Sequence, residues 1–171
     1  MDAERSFEDY VRGRWASWFR VALLLTGDHH LAEDLVQQAL LRMAGRWRQV
    51  ASAGDPDAYI KRILYREHVS WWRRRRRGVP EVPAAEADRT TPDPSENVAD
   101  AVTLRGALAR LAPGQRAVLV LRYYEDLTEA QTADVLGIRI GSVKSQARDG
   151  LARLRALAPE LTEIIDVGIA P

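Results

Sequence analysis

Apolar residues recur at every third or fourth position along nearly the whole chain, and nowhere do they alternate with polar ones over the length of a strand. Helices are therefore the only regular elements able to bury them on one side. The pattern lapses once. From Gly78 to about Ser95 the chain carries Pro80, Pro83, Pro92 and Pro94 among acids and small residues. Such a segment has too little apolar surface to offset the entropy of ordering it. The expectation is an all-α protein: two small helical bundles, residues 1–77 and 98–160, joined by a flexible acidic linker (78–97) and followed by a tail (161–171). A length of 171 residues suffices for two such bundles.

The first bundle divides at turn signals. A helix from about Ser6 to Leu25 carries Phe7, Tyr10, Val11, Trp15, Trp18 and Phe19. It stops at Thr26-Gly27-Asp28, where Gly27 suits a left-handed cap and Asp28 can cap the next helix. That second helix is expected from His30 to Trp47, with an apolar stripe of Leu31, Leu35, Ala39, Leu40, Met43 and Trp47. Asp34, Gln37, Gln38, Leu41, Gly45 and Arg48 fall on the opposite side, so Leu41 stands amid amides and charges. Two readings fit it equally. An isolated exposed leucine is ordinary; an apolar centre with an amide rim is also how a protein-docking patch looks. Ala53-Gly54-Asp55-Pro56 breaks the chain again. A third helix then runs from Pro56, a good first-turn residue, to about Arg75. Past the linker, helices are expected over 98–111, 113–124, 128–136 and 142–157.

The most specific local pattern is "LTEAQTADVLGIRIGSVKSQARDGLARLR", Leu127–Arg155. Thr128 and Gln131 form a capping box. Ala133 is small, Gly137 suits a turn with positive φ, and Val143 packs the second helix onto the first. This is the spacing of a helix-turn-helix. Val143, Ala147, Gly150, Leu151 and Leu154 share one face of the second helix, which Ser142 can cap. Lys144, Ser145, Gln146 and Arg148 lie off that face, rich in donors and placed to enter a major groove. Arg139 in the turn can hold phosphate. The plainer alternative is a helical hairpin whose polar face meets only water.

A formal net charge of +1 conceals an uneven distribution: 15 basic against 10 acidic residues over 1–77, 1 against 6 over 78–100, and 9 against 8 over 101–171. A near-neutral total thus leaves room for a polyanion on the first bundle. Arg73–Arg77 follow Trp71 and Trp72 at the end of the third helix. Two helical turns spread these arginines in almost every direction, so they meet solvent or phosphate. Either this is a solvated helix end beside a linker, or it is a basic surface with an aromatic face for an unpaired base. The two tryptophans point about 100° apart, and one can enter the core beside Ile63, Leu64 and Val69.

Some chemistry is excluded. Without cysteine there are no disulfides, thiolate metal sites or cysteine nucleophiles. The longest apolar run, around Val21–Leu25, is too short to cross a bilayer, so a soluble cytoplasmic protein with no membrane insertion is expected. His29 with Glu33, and His30 with Asp34, make two i,i+4 pairs of the kind that hold metal in helical bundles. No second Glu-x-x-His completes such a set, and no cofactor is expected.

Three motifs in order now carry a resemblance: "AEDLVQQALLRM" (Ala32–Met43), "DAYIKRILYREHVSWWRRRRR" (Asp57–Arg77), and, past the linker, "LARLAPGQRAVLVLRYYEDLTEAQTADVLGIRIGSVKSQARDGLARLR" (Leu108–Arg155). Together they resemble a bacterial RNA polymerase sigma factor of the small extracytoplasmic-function group, which keeps only the second and fourth sigma regions. The resemblance implies a non-enzymatic subunit that brings core polymerase to a promoter and assists melting. It implies docking of Asp34, Gln37, Gln38, Leu41 and Arg48 on the clamp of the polymerase's largest subunit, with the flap of the second-largest as a further partner surface. The loop 51–57 and the next helix would handle the −10 element through Asp57, Tyr59, Lys61, Arg62, Arg66, Trp71, Trp72, Arg73, Arg74 and Arg75. Arg139, Ser142, Lys144, Ser145, Gln146 and Arg148 would read the −35 element. An anti-sigma factor is a further partner the resemblance admits. Arg66 and Ser70 stand where the family often shows Asn and Asp, and Gln146 where an arginine is common. A standard promoter sequence is therefore not carried over. A stand-alone helix-turn-helix regulator would explain the second bundle but leave the first without a task.

Overall fold

The computed structural model describes residues 3–78 and 96–161, so most of the expected linker and tail lies outside the described residues. Among the described residues every regular element is helical. In the first half these are α1 (Ala3–Thr26), α2 (His29–Ala44), α3 (Trp47–Ala53) and α4 (Pro56–Gly78). In the second they are α5 (Glu96–Ala109), α6 (Pro113–Leu119), a π-helical turn (Val120–Tyr124), α7 (Glu129–Leu136), α8 (Ile140–Leu157) and a short 3-10 turn (Pro159–Leu161).

The turn signals act as expected. Gly27 has φ +74°, and the Asp28 carboxylate accepts from the Leu31 N–H at 2.9 Å, starting α2. Asp55 does the same for Ala58 at 2.9 Å at the start of α4, after Gly54 at φ +96°. Two of the expected helices are divided. The expected helix through Trp47 breaks at Gly45 and Arg46, the latter at φ −127° and ψ 11°. Glycine weakens a helix at that point, and the break turns the Trp47 ring onto Phe7 and Tyr10, each 5.2 Å away between centroids. Arg48 consequently sits on α3, not on the polar face of α2. The expected helix 113–124 is α-helical only to Leu119 and then widens into the π turn, a form frequent at functional sites.

The two halves are not held apart. One apolar cluster joins Trp18, Leu25, Val36, Met43, Ile60, Leu64 and Tyr65 of the first half to Ala117, Val120 and Leu121 of the second. Full burial of a side chain such as Val120 or Leu121 contributes roughly 1.5–3 kcal/mol. A second cluster gathers Leu108, Leu111, Leu119, Leu154, Ala158 and Leu161, with Leu24 of α1 against it. Gly27 permits this approach: a Cβ there would lie 2.8 Å from the Ala109 Cβ. Both expected helical regions are present, closed on one another by a seam between α1 and α4 on one side and α5, α6, the π turn and α7 on the other.

Candidate nucleic-acid interface

The helix-turn-helix is built from its own small core. Ala133 and Val143 are buried with Val118, and Gly137 turns the chain at φ +66°. Thr128 and Gln131 exchange capping bonds at 2.8 and 3.2 Å. Gly150 brings α8 close to α6, where a Cβ would meet Gln115 and Leu119 at 3.3 Å. The start of α8 corrects one expectation: the helix begins at Ile140, so Ser142 lies inside it and caps nothing. Arg139 is the capping residue, through its backbone, and its carbonyl accepts from the N–H groups of Ser142 and Val143 at 2.9 and 3.2 Å. The chain is already extended at Arg139 (φ −75°, ψ 148°), which lets the helix start earlier.

The residues expected to read duplex fall into two groups. Lys144 and Arg148 project outward, 63% and 78% exposed as side chains, and Arg139 is exposed beside them. Their ion pairs, Lys144 with Glu129 at 3.6 Å and Arg148 with Asp149 at 3.0 Å, are exposed pairs of the weak kind. Ser145 is half-buried and donates to the Ser142 carbonyl at 3.1 Å. Gln146 is half-buried against Gly114, where a Cβ would collide with its Oε1.

On α2 the polar face is as expected. Asp34, Gln37 and Gln38 are exposed around Leu41, which is 68% exposed. The His29 ring packs at a tilt against Phe19, 4.8 Å between centroids, and among the described residues no three His, Cys, Asp or Glu gather as a metal set.

The residues expected to meet the −10 element are mostly engaged within the protein. Asp57 accepts from the Trp18 indole at 2.8 Å and pairs with Lys61 at 3.2 Å. Tyr59 is half-buried and Trp71 likewise; the side chains of Trp72 and Arg75 lie outside the described residues. Lys61 reaches across the seam to Glu125 at 2.7 Å. Burial disfavours its charge, but the hydrogen bond and attraction from Glu125, with Asp57 adding, raise its pKa above the ordinary lysine value. Arg62 pairs with Asp134 at 2.6 Å. Arg66 donates to the carbonyls of Val135 and Asp134, at 2.8 and 3.0 Å, at the C-terminus of α7. Arg73 is exposed. Arg74 is held by Ser70 Oγ at 3.1 Å and Glu67 at 3.6 Å, and Glu67 also binds Arg42 of α2 at 2.9 Å.

Sequence reasoning missed the polar seam. Arg116 is buried, and its guanidinium donates to the carbonyls of Leu25 and Ala109, the orphan ends of α1 and α5. Burial alone lowers its pKa to about 10. His68 is also buried; burial first and Arg116 second push its pKa down to about 3. Neither ring nitrogen of His68, nor the Tyr65 hydroxyl, nor Arg116 Nε has a hydrogen-bond partner among the described residues. Burial, then Glu125 and Tyr124, holds the Tyr65 phenol protonated beyond its usual range. Arginine between "APGQ" and an apolar run was the one available signal.

Comparison with known proteins follows the same division. The Sigma-70 region 2 family matches residues 5–78, and the Sigma-70, region 4 family matches residues 101–154. An RNA polymerase sigma-E factor of Streptomyces avermitilis is 41% identical over 150 residues, covering 87% of this chain and 83% of that protein. The chain belongs to the extracytoplasmic-function group of RNA polymerase sigma factors. The ECF RNA polymerase sigma factor SigL of Mycobacterium tuberculosis is 34% identical over 84% of this chain. The sigma factor RpoE of Bartonella quintana, solved in complex with the anti-sigma factor NepR, shares the fold at a TM-score of 0.65 and 23% identity, over 91% of this chain and 98% of that one. Among the described residues no helix is long and apolar enough to cross a membrane.

Proposed function

We propose that this sigma factor docks on the clamp of the polymerase's largest subunit through Asp34, Gln37, Gln38 and Leu41 of α2, with Arg48 of α3 at the edge. The second half docks on the flap of the second-largest subunit. Lys144 and Arg148, with Arg139, position α8 on −35 duplex; Ser145 and Gln146 act from within the protein, holding α8 in place. Lys61, Arg62, Arg66 and the run from Arg73 carry the phosphates of the −10 strand, and Trp71 with Trp72 supplies the aromatic face. The units 1–77 and 98–160 then move separately on the 78–97 segment, the protein performs no bond chemistry of its own, and it acts in the cytoplasm. An anti-sigma factor is a partner of the closed form.

The observation that carries polymerase docking is Leu41. It is 68% exposed, ringed by Asp34, Gln37 and Gln38, and among the described residues the other exposed large aliphatic side chain is Ile140. Apolar centres of this kind carry much of an interface's energy. Leu41→Glu should abolish capture of core polymerase and run-off transcription while leaving thermal unfolding within about 0.5 kcal/mol of wild type, as for an exposed site. Undiminished run-off would refute the docking face.

A further inference from the structure

Resting on the assignment of the α4 arginine run to the promoter strand, we infer that Arg42 of α2 and Arg74 of α4 form one phosphate seat, with Glu67 as its positioning residue. Both guanidiniums stand on the Glu67 carboxylate, Arg42 on Oε1 at 2.9 Å and Arg74 on Oε2 at 3.6 Å. Among the described residues Glu67 is the one carboxylate shared by two cations; each of the other paired carboxylates meets one. One negative charge cannot neutralise two positive ones, so the cluster keeps a positive charge to spare. Arg42 and Arg74 are 58% and 61% exposed as side chains, whereas Glu67 is 15% exposed. The surplus charge therefore faces water, and the carboxylate that gathers it lies behind.

Helix geometry sets the place of the seat. Glu67, Ser70 and Arg74 fall at i, i+3 and i+7, on one face of α4. Ser70 Oγ accepts from Arg74 at 3.1 Å and so steadies the guanidinium without neutralising it, as a carboxylate at that position would. Arg42 is one residue past Leu41, about 100° round α2, which turns it from the proposed docking face toward α4. A guanidinium carries five N–H donors in a planar fork. Glu67 and Ser70 engage only Nη atoms, and the other donors of both forks remain for phosphate oxygens. An unanchored arginine must be ordered when it binds, at a cost in entropy; these two are already held side by side. The seat thus puts a strand phosphate at the edge of the polymerase-docking face, between the docking helix and the DNA helix.

The test uses the full chain at low salt, with fluorescence anisotropy on a 24-nucleotide dT strand and, in parallel, a random-sequence 24-bp duplex. Arg42→Ala and Arg74→Ala should each weaken strand binding about fivefold and flatten its salt slope by about 0.7, the contribution of one phosphate on a single strand. The double variant should lose little more than either single one, because both arms hold the same phosphate. Arg12→Ala, which removes an exposed paired arginine from α1, should change neither quantity. Glu67→Gln separates positioning from charge. It makes the surface more positive, which through the field alone tightens strand binding. The seat predicts the opposite, a loss of about threefold, since the two guanidiniums are no longer held together. Tighter or unchanged binding by Glu67→Gln, additive losses from the two arginine variants, or the same loss from Arg12→Ala would overturn the seat. Equal losses on the duplex would overturn its assignment to a strand. Capture of core polymerase by Arg42→Ala should stay within about twofold of wild type, as for a residue off the docking patch; lost capture would make Arg42 a docking contact and overturn the seat. If Arg74→Ala weakens strand binding while Arg42→Ala and Glu67→Gln do not, only the seat falls and the proposed function stands. If none of the three matters, the assignment of the α4 run to DNA falls with it.

Discussion

His68 makes the fold acid-sensitive by an amount that can be worked out. Its ring is wholly buried, and its pKa falls from 6.5 to about 3 through burial and the nearby Arg116. In the unfolded chain the imidazole takes a proton near 6.5; in the folded protein it stays neutral until about 3. Above 6.5 neither state holds that proton, and the site adds no pH dependence. Between 6.5 and 3 the unfolded state binds more, so stability falls as pH falls, by about 1.4 kcal/mol per unit. At pH 5 the loss is about 2 kcal/mol, a large share of a small protein's total. Urea unfolding followed by circular dichroism at pH 7.5, 6 and 5, on wild type and His68→Leu, isolates it, because every other titrating group is common to both. Wild type should lose about 2 kcal/mol more than the variant between pH 7.5 and 5. Parallel curves would show that His68 is not buried neutral and would refute the reasoning.

Two further expectations concern the seam. Arg116→Leu strips the guanidinium from the Leu25 and Ala109 carbonyls and should cost about 3 kcal/mol by chemical denaturation; a loss under about 1 kcal/mol would mean those carbonyls find other partners. Gly27→Ala forces a Cβ into a left-handed residue and against Ala109, and should cost about 1–2 kcal/mol or more in thermal unfolding; a neutral result would show that α5 can withdraw freely.

What the sequence made legible follows from how local each cause is. Gly27, Asp28, Asp55, Thr128, Gln131 and Gly137 act within a turn or two of themselves, and each does in the structure what its chemistry allows. The stripe of α2 and the packed face of α8 follow from helical periodicity, which needs no knowledge of the partner element. The break at Gly45 was less legible, because it depends on Trp47 finding Phe7 and Tyr10 from α1. The seam was hidden for the same reason. The resemblance set Lys61, Arg62 and Arg66 at the −10 element, and nothing near them in sequence shows that Glu125 and Asp134, more than sixty residues on, face them. The resemblance set Asp57 among the promoter contacts, and nothing local reveals the Trp18 indole at its carboxylate.

The composition of the seam bears on whether closure can be undone. Val120 and Leu121 bury apolar surface there, which favours closing by roughly 1.5–3 kcal/mol each. Set against them are the Tyr65 hydroxyl, the His68 ring and Arg116 Nε, buried with no partner among the described residues. Each such group costs about 1–3 kcal/mol while closed and recovers that on meeting water. The exposed pair of Arg62 with Asp134 adds little either way. These polar terms oppose the apolar ones, so closure is weaker than the buried apolar surface alone would make it. A seam of leucine and valine alone would close more tightly, so on the docking proposed for α2 the unpaired polar groups at Tyr65 and His68 lower the cost of parting the halves.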